Sequence, residues 1–281
     1  MDLNGEERLS DSPFVETIWH SRSEEAGDFI SMAEIHYNMV VTKHRGKTVF
    51  TVRGPETQAT PAYCPPDAEF MGIVFKPGVF MPHLPPTRVI DRQDVNLPEA
   101  TSQSFWLNGS AWEFPDFENA DTFVDWLVQD GLLVYDPLVD AVLQGQPVEA
   151  TLRTVQRRFV QATGLTQTAI TQIERARYAT NLLKQGTSIL DTVYMAGYFD
   201  QPHLTRSLKH LTGLTPAKIM DTHRVERLSL QYEMVPALLK YDPNIGLSTK
   251  ENQRQEFAAM NGIPSTRTGQ QAIVGVVQPS S

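Results

Sequence analysis

Thr151-Leu152-Arg153-Thr154-Val155-Gln156-Arg157-Arg158-Phe159 and Gly197-Tyr198-Phe199-Asp200-Gln201-Pro202-His203-Leu204-Thr205-Arg206-Ser207-Leu208 are two passages built to one plan. Each places a short polar side chain ahead of an apolar pair four residues apart. Thr151 can cap the first helix, with Val155 and Phe159 facing inward. Asp200 can cap the second, where Leu204 and Leu208 face inward. Pro202 falls in its first turn, where a missing N–H costs nothing. The outward face of the first helix then carries Arg153, Gln156 and Arg157. The second presents Gln201, His203 and Arg206, with Thr205 beside them.

The surrounding residues continue the helical pattern. Leu138, Val139, Val142 and Leu143 form one apolar face after Asp136-Pro137, and Gln146-Pro147 breaks the chain. Gly164 ends the first quoted helix. A long helix over 167–185 carries Ile170, Ile173, Ala176, Ala179, Leu182 and Leu183 at core spacing. Ser188 caps a short helix bearing Ile189, Leu190, Val193 and Ala196, and Gly197 makes the turn into the second quoted passage. Gly213 and Pro216 close it.

Towards the N-terminus the period changes. Short apolar or alternating runs at 14–20, 29–35, 39–42, 48–52 and 70–75 are separated by turn formers such as Arg45-Gly46 and Lys76-Pro77-Gly78. They predict a β-rich, barrel-like domain. Residues 1–12 are polar and predict a frayed end. Residues 82–115 are rich in Pro, Asn and Ser and predict a wrapping segment without regular structure. Asp121 is the expected cap of a helix with Phe123, Trp126 and Leu127 near one face. The fold class is therefore α+β. A β-rich effector-binding or dimerisation domain (1–120) is followed by a helical connector (121–135) and a tandem helix-turn-helix domain (136–223). A loosely ordered tail (224–281) completes it, with a short helix expected at 249–260.

The net charge of −9 at first argues against a polyanionic partner. Its distribution reverses the argument. Residues 1–136 carry 9 Lys and Arg against 22 Asp and Glu, whereas residues 137–223 carry 9 against 6. An acidic domain joined to a mildly basic one fits a nucleic-acid reader, with too little excess charge for tight non-specific binding. One cysteine, Cys64, excludes an internal disulfide and a Cys-based zinc site. No apolar run approaches the roughly 20 residues that span a bilayer. The start of the chain lacks a basic and then apolar leader. The expectation is a cytoplasmic protein.

Residues from about 136 to 219 resemble the C-terminal DNA-binding domain of AraC/XylS-type transcriptional regulators. The likeness rests on Arg153-Thr154-Val155-Gln156-Arg157-Arg158-Phe159, Ala162-Thr163-Gly164-Leu165, Glu174-Arg175-Ala176-Arg177 and Leu182-Leu183 before Gly186. It continues through the block from Gly197 to Leu208 and Gly213-Leu214-Thr215-Pro216. The resemblance implies two helix-turn-helix units joined by a linker helix, reading one face of an asymmetric duplex site. The sequence departs from the pattern where Gln146-Pro147-Val148-Glu149-Ala150 replaces the usual glycine turn of the first unit. Val193 and Ala196 exchange large and small positions, and Leu204 and Leu208 stand for phenylalanines.

Double-stranded DNA is thus the expected partner. Arg offers two donors to guanine O6 and N7, and Gln pairs with adenine. Arg153, Gln156, Arg157, Gln201, His203, Thr205 and Arg206 are the expected base-reading or groove-facing set. Arg158 and Lys209 are expected at phosphates, with Lys218 nearby. A solvated face is the plain alternative for either helix alone. A small effector, RNA polymerase and a second copy of the chain stand as further partners. Trp19, His20, His36, Tyr37, Lys43, His44 and Arg45 could line an N-terminal pocket, but nothing in the sequence names its ligand. Two other classes compete: an interaction protein that has lost DNA specificity, and a cupin-like metalloenzyme. The second needs a His-x-His pair, and His36, His44 and His83 are isolated. Phosphate-binding and nucleophile-elbow glycine motifs are also missing. No catalytic residue, metal or cofactor is expected.

Overall fold

The computed structural model describes residues 3–91 and 93–221, which fall in one compact unit. The tail at 224–281 and the helix expected at 249–260 lie outside the described residues. The first part of the chain is strand-rich: β1 (Leu3–Leu9), β2 (Val15–Ser23), β3 (Gly27–Ser31), β4 (Asn38–His44), β5 (Lys47–Arg53), β6 (Thr60–Cys64), β7 (Ala68–Phe75) and β8 (Val79–Phe80). After a short helix α1 (Pro86–Val89) come β9 (Val95–Asn96), β10 (Glu99–Thr101), β11 (Ser104–Leu107) and β12 (Ser110–Glu113). Helix α2 (Ala120–Gln129) and β13 (Val134–Tyr135) lead into the helical part. That part comprises α3 (Pro137–Leu143), α4 (Leu152–Thr163), α5 (Gln167–Lys184), α6 (Ile189–Met195), α7 (Gln201–Thr212) and α8 (Pro216–Met220).

The main sheet is antiparallel, in the order β1-β2-β7-β4-β5-β9. Beside it stand a β10-β11-β12 meander and the pairs β3-β6 and β8-β13. Among the described residues no pairing joins β1 to β9, so the sheet is not closed and the β-rich expectation holds without the barrel. β7 reads as a continuous apolar run because both of its faces are covered. Met71, Ile73 and Phe75 enter one core, and Val74 packs with Trp19 and Val40 on the other side. The larger core is aromatic. Phe50 meets Phe105 at 4.5 Å and Phe123 at 5.7 Å between ring centroids, so α2 closes over β5 and the meander.

Four expectations for this part are overturned. Residues 1–12 are not frayed along their length, because β1 pairs with β2 from Leu3 to Leu9. Arg8 holds this edge strand in place. Its guanidinium donates to the Phe117 carbonyl at 2.8 Å and pairs with Asp121 at 2.6 Å. Asp121 accordingly does not cap α2. Asn119 occupies the cap position without a side-chain cap bond, and Asp121 accepts from Arg8 and Ser10 instead. The segment 82–115 contains α1, β9 and the meander, whose inward residues Phe105 and Leu107 alternate over only four positions. Trp126, expected near the face shared by Phe123 and Leu127, is 54% exposed.

The second core belongs to the helices but is not made by them alone. Ala33, Ile35 and Phe80 from the strand-rich part sit in it with Phe159, Ile170, Ile173, Leu204 and Leu208.

Candidate nucleic-acid interface

The helical part is punctuated by side-chain caps. Thr151 accepts from the Thr154 N–H at 3.3 Å and opens α4. Thr166 opens α5, Ser188 opens α6, and Asp200 opens α7 by accepting from the His203 N–H at 2.7 Å. Each oxygen satisfies an N–H that a helix start leaves unpaired. Thr151, Ser188 and Asp200 are the caps the sequence indicates, and Thr166 is one that sequence reading did not name.

In α7, Leu204, Leu208 and Leu211 are buried, and Pro202, Arg206, Lys209 and His210 lie on the opposite, exposed side. Gln201 is exposed at the helix start, and Thr205 is half-buried at the flank. In α4, Phe159 and Ala162 are buried while Arg153, Gln156 and Arg157 are exposed. Gln161 is exposed too. At four residues beyond Arg157 it extends the outer row Arg153–Arg157–Gln161. Gln161 and His210 are the outward residues that sequence reading missed. The repeat of four from Arg157 and from Arg206 is the signal that could have found them. Neither α4 nor α7 contains a carboxylate, although the chain as a whole is acidic.

Two of the expected contact residues have structural duties. Arg158 forms a two-pronged pair with Asp136, at 3.0 Å and 2.6 Å, which ties α4 to the cap of α3. His203 is half-buried at the first turn of α7. Its Nδ1 accepts from the Phe199 N–H at 3.4 Å, and its ring meets Tyr198 edge-on at 5.2 Å. Burial first, and then the charges of Arg175 and Arg206, lower its pKa below the usual histidine value. The shift favours the neutral ring, which braces the turn before α7. Arg175 of α5 stacks over Tyr198 with its guanidinium carbon 4.5 Å from the ring centroid, and the Tyr198 hydroxyl meets Ser207 at 3.1 Å. Linker helix, turn and α7 are thus locked together.

The two units differ in closeness of build. Residues 196–200 connect α6 to α7, a tight helix-turn-helix step. Residues 144–151 connect α3 to α4, and α3 has only seven residues. The loose connection leaves Leu152 72% exposed at the start of α4.

Two helices joined by a capped linker, each with a basic outer row, define a tandem helix-turn-helix DNA-binding part. Residues 147–222 match the family model described as a helix-turn-helix domain. This match supports an AraC-type helix-turn-helix domain in the C-terminal part of the chain, and with it a DNA-binding transcription regulator. The match begins beyond α3. No curated protein and no solved structure matches the chain. Among the described residues no helix is long and apolar enough to cross a membrane, and no group of three His, Cys, Asp or Glu is placed to hold a metal ion.

Proposed function

We propose that the protein regulates transcription by sequence-specific recognition of duplex DNA. Arg153, Gln156 and Arg157 of α4 read one major groove, and Gln201, Thr205 and Arg206 at the start of α7 read the next. His203 positions the α7 turn, and Lys209 holds phosphate. Arg158 contributes from its pair with Asp136, by fixing α4 and by the remaining exposed edge of its guanidinium. The observation that carries this reading is the exclusion of carboxylates from both recognition helices in an acidic chain, which leaves their outer rows cationic. The strand-rich part modulates binding through a small effector or through dimerisation, with the exposed Trp126 of α2 as a contact surface for a second copy. The protein acts in the cytoplasm and is not an enzyme.

Selection of bound duplexes from a random pool by the full-length protein tests this. The expected outcome is an asymmetric motif with two blocks about one helical turn apart. Arg157→Ala and Arg206→Ala should each cost about 1–3 kcal/mol on that duplex and relax discrimination at one block. Lys209→Ala should weaken all duplexes alike and flatten the dependence of affinity on salt. Unchanged affinity and preference in both arginine variants would sink the assignment.

A second reading, an interaction protein whose helical part no longer selects a sequence, is favoured by the loose connection before α4. Leu190, Tyr194 and Phe199, at 71%, 87% and 80% exposure, add apolar surface suited to a protein partner. Absence of any enriched motif would favour it.

A further inference from the structure

The strand-rich part touches the two recognition helices at equivalent places. α4 ends at Gly164 and α7 at Gly213, both in the left-handed conformation, with φ of 74° and 73°. A Cβ at Gly164 would stand 3.0 Å from Pro86 and 3.1 Å from Pro55. A Cβ at Gly213 would stand 2.9 Å from Ile30 and 3.5 Å from Ala59. The contact at α7 is also hydrogen-bonded. The last carbonyls of a helix lack partners within it. Here the Ala59 N–H donates to the His210 carbonyl at 2.9 Å, and the Ala33 N–H donates to the Leu211 carbonyl at 2.8 Å. The two donor segments are themselves joined, since Glu34 and Glu56 exchange backbone hydrogen bonds at 2.9 Å and 2.8 Å.

The linker helix α5 is held from the same side. Ala33 and Ile35 lie in one core with Ile170, Ile173 and Ala176. Between them in sequence, Glu34 pairs with the fully buried His36. Within the same electrostatic neighbourhood α5 supplies Glu174 and Arg177, which pair at 3.7 Å and are 2% and 3% exposed. The cluster is incompletely satisfied: His36 Nε2 is buried without a hydrogen-bond partner, and Glu174 Oε1 meets Arg177 only at ion-pair distance. A buried polar cluster in that condition gives little net stability, yet removing one charge leaves the others uncompensated and favours opening to water.

We propose that the strand-rich part is a clamp on the DNA reader. It seats the C-terminal ends of α4 and α7 and grips α5 through Glu34, His36, Glu174 and Arg177, so the fixed separation of the two recognition helices exists only while it is docked. The proposal rests on reading α4 and α7 as the DNA-facing pair, but its content is a distance within the protein. Any ligand that shifts segment 30–36 or 55–59 would then alter groove spacing directly. This gives the strand-rich part a route to control DNA binding without touching DNA.

The test measures that distance without DNA. Nitroxide labels are placed on full-length protein at the exposed positions Gln161 of α4 and Lys209 of α7, through Gln161→Cys and Lys209→Cys in a Cys64→Ser background. Electron–electron double resonance should give one narrow distance distribution in the parent. Glu34→Gln and Ile30→Ala should each broaden or split it while far-ultraviolet dichroism shows the helices retained. A parent distribution that is already broad, or a narrow distribution unmoved in the folded variants, would overturn the clamp. Should Glu34→Gln fail to fold, Ile30→Ala decides alone, since it removes only the side chain against Gly213. Failure of the unlabelled wild-type protein to select any duplex, with the clamp signature intact, would instead count against the DNA-reading assignment.

Discussion

Glu34 and Glu174 share one cluster and are pushed in opposite directions. Burial alone would raise Glu34, but the charge and hydrogen bond of His36 and the charge of Arg177 outweigh it. They hold the carboxyl down from 4.5 to about 2. Burial raises Glu174 and prevails over Arg177 and His36, with Glu34 adding repulsion. The signs follow by linkage. A lowered carboxyl stabilises the fold fully above its unfolded value near 4.5, and that contribution is lost as pH falls towards 2. A raised carboxyl costs stability above its folded value, and the cost is relieved as pH falls. Glu34→Gln should therefore cost about 3–5 kcal/mol near neutral pH and remove the loss of stability between those two pH values. Glu174→Gln should cost distinctly less near neutral pH, because it deletes a charge the fold disfavours. Urea denaturation of both variants across pH 2–7 checks this, and equal neutral-pH costs would contradict it. Sequence reading treated His36 as one of several pocket candidates. Its direct partner Glu34 is two residues away, but Glu174 and Arg177 lie on a helix more than a hundred residues away, so no local pattern could assemble the cluster. Sequence reading gave Arg158 and His203 as expected DNA contacts, whereas their engagement with Asp136 and with Phe199 and Tyr198 depends on where α3 and the α6–α7 turn come to rest.

Helices α4 to α7 were legible because each start has a capping oxygen and the ends of α4 and α7 have a glycine at the required left-handed position. Local chemistry decides such boundaries. Asp200→Ala should cost about 0.5–2 kcal/mol and speed hydrogen exchange in the first turn of α7, where the cap serves the His203 N–H. Exchange unchanged in that turn would show the cap to be dispensable. The strands were legible only where alternation was long enough, as in β5 with Phe50 and Val52 inward. β1 escaped notice because its stability is non-local. Its sequence is polar, and it is a strand because β2 offers an edge and Arg8 reaches Phe117 and Asp121. The meander escaped because its three strands, of three and four residues, are too short to establish a period.

All four tryptophans, Trp19, Trp106, Trp112 and Trp126, lie in the strand-rich and connecting part, whereas the longest helices lie beyond it. Fluorescence and far-ultraviolet dichroism therefore report on different parts of the same molecule. With Ala33, Ile35 and Phe80 inside the helical core, the two signals should lose structure in one coincident thermal transition. Two separated midpoints would show that the parts unfold independently and that the shared core contributes little.

Caps, glycines, apolar spacing and the uneven spread of charge were enough to define the chain as α+β, to place helices α4 and α7 and to raise DNA as the expected partner. Each of these is a property of residues within a few positions of one another, or of a segment's composition. Openness of the sheet, the edge strand β1, the bracing role of His203 and the seating of Gly164 and Gly213 against the strand-rich part were settled only in three dimensions. Each depends on contacts between distant segments, whose geometry is fixed when the two cores close on shared residues and which leave no periodic trace in the chain.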